Sequence, residues 1–350
     1  MISFDVCRCG APLQRIERAT PKPEGAQVLL RTLAAGICHS DLHIWDGFYE
    51  MGGGKRMQLL DRGIKLPLTM GHEIAGEVVA VGADAKGVKM GDRRLVYPWI
   101  GCGTCSVCKA GDEQLCSAPR FLGVFANGGY SDHVLVPDAR YLLDLEDMAP
   151  EKAAPLACSG VTTYGALKKL GLSLQREPVV IIGAGGLGLM CLALAKMMGS
   201  PGAIVVDIDP VKRDAAMKAG ATAVVDGNAP DATKQLAKLG NGAWSVIDLV
   251  GSSSTVRLGI DCLAKGGKLI VVGLFGGDIT ISTPLIPMRA LTIQGSYVGS
   301  LAELRELLAI VKRTGLPAQP VGTRSFADAD AALRELRAGK VVGRLVLTPN

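Results

Sequence analysis

No stretch of this chain reaches the roughly 20 uncharged apolar residues of a bilayer-spanning helix, so no membrane role is expected. Like charges form no block either. A net charge of +5 is spread over 350 residues, which makes nucleic acid an unexpected partner. No cationic, apolar leader opens the sequence, and no tandem repeat or low-complexity tract interrupts it. Aromatic residues are scarce at 4 %, so the few that group together gain weight as pocket candidates.

Cysteine and glycine, by contrast, are plentiful. Ten cysteines without a secretory leader point to a reducing cytoplasm and to metal rather than disulfide roles for most of them. Cys7 and Cys9 have no evident partner and read as free thiols near the first strand. The 45 glycines imply many tight turns and close backbone approaches, and the length allows two domains.

Four cysteines, Cys102, Cys105, Cys108 and Cys116, fall in one short Gly-containing segment. Four thiolates on such a loop can surround one Zn²⁺ tetrahedrally, whereas disulfides at this spacing would be strained. A site of that kind is closed, so it holds a loop and leaves the chemistry to other residues. A second, dispersed set comprises Cys38, His72 and Cys158. Two thiolates and an imidazole leave a fourth position open, as a reactive zinc requires. Spacing alone does not select this trio, because a lone buried Cys is ordinarily a small hydrophobe.

A third signal is stronger. An apolar β-branched run, 179–182, enters Gly183-Ala184-Gly185-Gly186-Leu187-Gly188 and then a helix-like stretch. A second apolar run, 203–206, ends at Asp207. Strand, glycine turn, helix, strand and acid in this order form the dinucleotide fingerprint. The glycines admit pyrophosphate at the helix N-terminus, and the acid accepts the ribose hydroxyls. Asp207, with Asp209 nearby, favours NAD over NADP, since a 2′-phosphate would face a carboxylate.

Together these motifs, with Gly36-Ile37-Cys38-His39-Ser40-Asp41, Gly71-His72-Glu73-Ile74-Ala75-Gly76 and Cys158-Ser159-Gly160-Val161-Thr162-Thr163, give a chain that resembles the zinc-dependent medium-chain alcohol dehydrogenases. The resemblance covers nearly the whole sequence. It is nearest to the bacterial and archaeal branch, and implies a cytoplasmic homotetramer or dimer with two zinc ions per subunit. The implied fold is α/β: a doubly wound parallel Rossmann sheet plus a GroES-like, partly open β-barrel. The catalytic domain would span 1–157, with a structural-zinc lobe at about 98–118. The NAD-binding domain would span 158–295, and 296–350 would return to complete the first. Strand-like runs broken by Gly, Pro and Asp before residue 155 agree with a barrel. Strands at 179–182, 203–206, 223–225, 245–249, 268–272 and 291–294, alternating with helices, agree with the parallel sheet. Residues 47–66, with Gly52-Gly53-Gly54 and several charges, read as a mobile surface loop.

The resemblance assigns roles residue by residue. Cys38, His72 and Cys158 would hold a catalytic zinc that lowers the pKa of an alcohol. Glu73 would be either an alternative fourth ligand or an acid just outside the ligand set. Asp41 would hydrogen-bond a zinc-bound imidazole. Ser40 would take the alcohol proton, the cofactor ribose would pass it on, and His43 would release it to solvent. His39 and Arg344 would contact pyrophosphate, and Lys212 the adenosine ribose. Thr162, Leu274, Phe275 and Val298 would frame the nicotinamide. Phe48, Tyr49, Trp99 and Phe121 form the aromatic group expected at an apolar substrate pocket. Two other readings compete: a zinc-free quinone or enoyl reductase of the same superfamily, and a zinc-ribbon module for nucleic acid. The Cys38, His72, Cys158 set argues against the first, and the missing basic patch against the second.

Overall fold

The computed structural model describes residues 1–238 and 242–349. Two sheets organise it. In the middle of the chain, apolar β-branched runs form six parallel strands, the first, second and fourth largely buried: Val179–Ile182, Ala203–Asp207, Ala223–Asp226, Ala243–Asp248, Leu263–Val271 and Thr292–Gly295. Their spatial order is third, second, first, fourth, fifth, sixth. That is the doubly wound order, and its switch point lies between the first and fourth strands, where such folds bind dinucleotides.

The second sheet has seven strands and is mainly antiparallel. Val28–Ile37 lies at its centre and pairs with Glu73–Val81 on one side. On the other side it pairs with Arg344–Thr348, in the register Leu345↔Ile37, Val346↔Gly36, Leu347↔Ala35. The end of the chain therefore completes the barrel begun near its start. A further tail strand, Val321–Ser325, runs parallel to Arg344–Thr348. One apolar cluster runs from barrel to parallel sheet and includes Cys38 and Cys158, so the site lies where the two halves share a core.

Two local features depart from the sequence expectation. The barrel half contains a helix, His39–Asp46, ended by Gly47 in the left-handed conformation. Residues 47–66 are not an open loop. Phe48–Glu50 and Arg56–Gln58 form an antiparallel hairpin, followed by a short 3₁₀ turn, Leu60–Arg62. Glu50 and Arg56 pair across it at 2.8 Å, and the Arg56 guanidinium lies 4.1 Å from the centre of the Phe48 ring. The three glycines make the tight reversal, all at positive φ. Gly52 packs so closely on Gly277 of the other half that a Cβ there would sit 2.8 Å from its carbonyl carbon.

Candidate active site

The helix His39–Asp46 starts at Cys38, whose extended backbone makes it the N-cap. Its amide donates to Asp41 Oδ2 at 2.8 Å, closing a capping box. Helix formation thus points Cys38 into the core and fixes the Asp41 carboxylate behind it. Cys158 arrives from the other half, at the start of the helix Ser159–Leu170. His72 and Glu73 come from the segment entering the strand Glu73–Val81. All four side chains are buried, and each offers a ligand atom within 4.8 Å of the others.

The donor set fits zinc. Cys38 Sγ and Cys158 Sγ lie 3.8 Å apart. A tetrahedral ion with Zn–S bonds of about 2.3 Å requires sulfurs about 3.8 Å apart. Both His72 ring nitrogens are buried without a hydrogen bond, and Nδ1 faces Asp41 Oδ1 at 3.4 Å. An orphaned pair of ring nitrogens in a core is costly unless one meets a metal. The Cys158 thiol hydrogen-bonds Cys38 and pulls its pKa well below the ordinary thiol value; the same contact and burial push Cys158 up. A cation bound between them would favour the thiolate form of both sulfurs.

Glu73 gives both oxygens to Arg344: Nε donates to Oε2 at 3.0 Å, and Nη2 to Oε1. Arg344 was expected on pyrophosphate; instead its guanidinium is buried against Glu73. Its Nη1 also reaches the fingerprint, 3.1 Å from where a Cβ on Gly186 would stand. His43 packs against Tyr49, ring centres 4.5 Å apart and planes tilted by 34°, and burial lowers its pKa against the opposing charges of Cys38 and Asp46. Ser40, three residues earlier on the same helix, is half-buried. His39, the first helical residue, is exposed.

The fingerprint is built as the glycines require. Gly183 has φ +100°, and a Cβ on Gly188 would sit 1.9 Å from the Gly183 carbonyl oxygen. Gly185 caps the helix Gly186–Met197, which carries Leu187 in its first turn. Asp207 ends the second strand. Its Oδ2 accepts from Ala184 N at 2.7 Å and its Oδ1 from Asp209 N at 2.9 Å, so the acid also braces the glycine turn. Lys212 is half-buried on the helix Pro210–Lys218. Thr162 is buried with Oγ1 unpartnered, Val298 is buried at φ +41°, and Leu274 and Phe275 are exposed beyond the fifth strand.

Beside this centre is a cleft of about 580 Å³. Tyr49 and Phe121 line it. Trp99 does not: it lies beneath, 5.1 Å from the His72 ring and 5.4 Å from Phe121, with Nε1 donating to Ala157 O. Phe48 is also absent from the lining, its ring being covered by Arg56. The walls that sequence reading missed include Ile44, Met57, Ile64, Phe125 and Tyr297. Tyr297 carried a signal, since it follows the sixth strand at its C-terminal end, where such sheets bind ligands.

The cysteine lobe forms a second cluster. Cys102, Cys105, Cys108 and Cys116 bring their sulfurs within 4.8 Å of one another, at separations of 3.4 to 3.9 Å for three of the pairs. Backbone amides of Cys102, Thr104, Cys105, Cys108 and Ala118 point at the sulfurs. Hydrogen bonds from Thr104 and Cys105 hold Cys102 down at about 5, while burial pushes Cys108 up to about 12. Four thiolates this close repel, and a divalent cation removes the conflict. Replacing Cys105 with serine should therefore lower thermal stability by several degrees, since about 1 kcal/mol shifts Tm by about 2–4 °C in a domain of this size. A melting curve identical to wild type would count against a structural metal here.

A dinucleotide-type sheet beside a barrel, with an open cluster of metal donors at their junction, defines a metal-containing dehydrogenase. Residues 24–147 match the alcohol dehydrogenase GroES-like domain, and residues 186–313 the zinc-binding dehydrogenase domain. A NAD-dependent alcohol dehydrogenase of Sulfurisphaera tokodaii is 39% identical over 100% of both chains. Another from Saccharolobus solfataricus is 37% identical over 97% of both. The crystal structure of an alcohol dehydrogenase from Aeropyrum pernix superposes with a TM-score of 0.88 at 32% identity, covering 100% of both chains. The chain belongs to the zinc-type medium-chain alcohol dehydrogenase family, and it is an oxidoreductase.

Proposed function

We propose that this protein oxidises a primary or secondary alcohol reversibly to an aldehyde or ketone, transferring hydride to NAD. The observation that carries the reading is the buried Cys38, His72, Cys158 cluster at the junction with the dinucleotide sheet. Bound there, zinc supplies Lewis acidity toward an alcohol oxygen and NAD⁺ supplies the hydride acceptor. The protein's own groups do the rest. Cys38, His72 and Cys158 hold the metal, and Arg344 draws the Glu73 carboxylate aside. Ser40 accepts the alcohol proton and His43 returns it to solvent. Asp207 and Lys212 take the adenosine ribose, Gly183 to Gly188 with His39 the pyrophosphate, and Thr162, Val298, Leu274 and Phe275 the nicotinamide. Tyr49, Phe121, Phe125 and Tyr297 give the substrate an apolar wall. An initial-rate screen of primary and secondary alcohols with NAD⁺ tests the reading; no turnover with any alcohol would overturn it.

On this reading residues 1–157 and 296–350 form the catalytic domain and 158–295 the NAD domain. The four-cysteine lobe holds a second, structural zinc. We place the protein in the cytoplasm, where its ten cysteines stay reduced, as thiolate ligands require. We also propose a homotetramer or dimer. Among the described residues the strand Thr292–Gly295 pairs on one side only, and all four of its residues are exposed, beside exposed Leu285, Ile286 and Met288. An unpaired edge flanked by apolar side chains is a template for a second copy. A molar mass in solution equal to one chain would contradict this.

His43→Ala gives a separate check on proton release. Burial keeps the imidazole neutral to lower pH than an ordinary histidine, so the base stays available there. The variant should lose turnover most at neutral and lower pH, where hydroxide is scarce, by about 10²-fold. Its metal content should not change. A pH–rate profile coincident with wild type would remove His43 from the relay.

A further inference from the structure

Tyr130 has no part in the chemistry described so far, yet it touches the metal cluster's support at three levels. Its side chain is fully buried, and its hydroxyl donates to Asp41 Oδ2 at 2.9 Å. A phenol hydroxyl deep in a core is retained at a cost unless it is hydrogen-bonded, and Asp41 is the partner it has. Its ring packs against Gly71, where a Cβ would come within 2.3 Å of ring carbon Cδ1. Its amide donates to Met70 O at 2.9 Å, so the chain entering His72 rests on Tyr130 through both backbone and ring.

The hydroxyl matters through the geometry of Asp41. That carboxylate has two oxygens. Oδ2 takes two donors, Cys38 N–H at 2.8 Å and Tyr130 O–H at 2.9 Å. Oδ1 takes none and faces His72 Nδ1 at 3.4 Å. Pinning one oxygen with two donors fixes the rotation of the carboxylate, so the other oxygen meets the imidazole. A proton held on Nδ1 by that oxygen leaves Nε2 as the ligand nitrogen. With the Tyr130 hydroxyl gone, a single amide would hold Oδ2, and the carboxylate could turn away from His72.

We propose that Tyr130 is a positioning residue of the metal centre, setting the rotation of Asp41 and, through it, the tautomer and aim of the His72 ring. This rests on the reading that Cys38, His72 and Cys158 hold a metal. The test uses the full-length protein loaded with cobalt(II), as wild type, Tyr130→Phe, Asp41→Asn, the double variant and Cys38→Ser. The readouts are the rate of metal release into a chelator, the visible cobalt spectrum and the melting temperature. Phenylalanine keeps the ring on Gly71 and removes only the hydroxyl. Tyr130→Phe should release one class of metal about tenfold faster, near the low end for a residue supporting a ligand. The cobalt bands should shift while the melting temperature holds. In the double variant, release should be no faster than in Asp41→Asn alone, because the two residues act as one unit. Wild-type release with an unchanged spectrum would overturn the proposal, as would effects of the two substitutions that multiply. Cys38→Ser separates the two failures. If it keeps the full metal complement, the metal-site reading falls and takes the proposal with it. If it loses one metal while Tyr130→Phe behaves as wild type, only the role of Tyr130 falls.

Discussion

Cys38→Ser should lose one metal per chain and at least about a thousandfold in turnover, since about 4 kcal/mol of lost Lewis-acid stabilisation is three factors of ten. The fold should survive. Serine keeps the backbone amide that donates to Asp41 Oδ2, and its hydroxyl can still serve as the helix N-cap. His72→Ala and Cys158→Ser should behave alike, because each removes one of three donors from an open site. Metal analysis and kcat on the same preparation provide the check. Wild-type turnover in a variant shown to lack one metal would remove the Cys38, His72, Cys158 assignment.

Asp207→Ser should shift cofactor choice almost as far. In the wild type a 2′-phosphate about 4 Å from the carboxylate would cost roughly 4 kcal/mol at an effective dielectric near 20. Asp209 adds to that field and Lys212 offsets part of it. The net expectation is an NAD preference of at least about a hundredfold in kcat/KM, at about 1.4 kcal/mol per factor of ten. The serine variant loses more than the charge. Asp207 also accepts from Ala184 N, so the glycine turn loosens and NAD use falls. NADP use should rise, since the carboxylate that repels a 2′-phosphate is gone. Equal kcat/KM for both cofactors in the wild type would overturn the role given to Asp207.

How much of this was legible in the sequence follows from how local each feature is. The fingerprint and the cysteine lobe each occupy one short segment, so spacing alone carried their geometry. The catalytic donors lie on three distant segments, and family resemblance rather than periodicity brought them together. That Arg344–Thr348 pairs with Val28–Ile37 has no local signature at all. The Glu73–Arg344 pair spans 271 positions, so a reading that saw only Gly343-Arg344 assigned the guanidinium to phosphate alone. Aromatic grouping does not say which way a side chain of a three-residue strand points; Phe48 pairs with Gln58 in the hairpin, and its ring is covered by Arg56, the partner of Glu50. The hairpin itself was missed because its strands are too short to show alternation beside three glycines. Tyr130 lies outside every motif, and only the buried hydrogen bond to Asp41 draws attention to it.

The central claim is hydride transfer from an alcohol carbon to NAD at a metal-dependent site. The most direct measurement incubates the zinc-loaded protein with NAD⁺ and a carbon-deuterated form of its fastest alcohol in a rate screen, then weighs the reduced cofactor. The account predicts one deuterium per NADH formed, and formation at least about a thousandfold slower by Cys38→Ser under the same conditions. Reduced cofactor without the label, or labelled cofactor formed equally fast by Cys38→Ser, would contradict it.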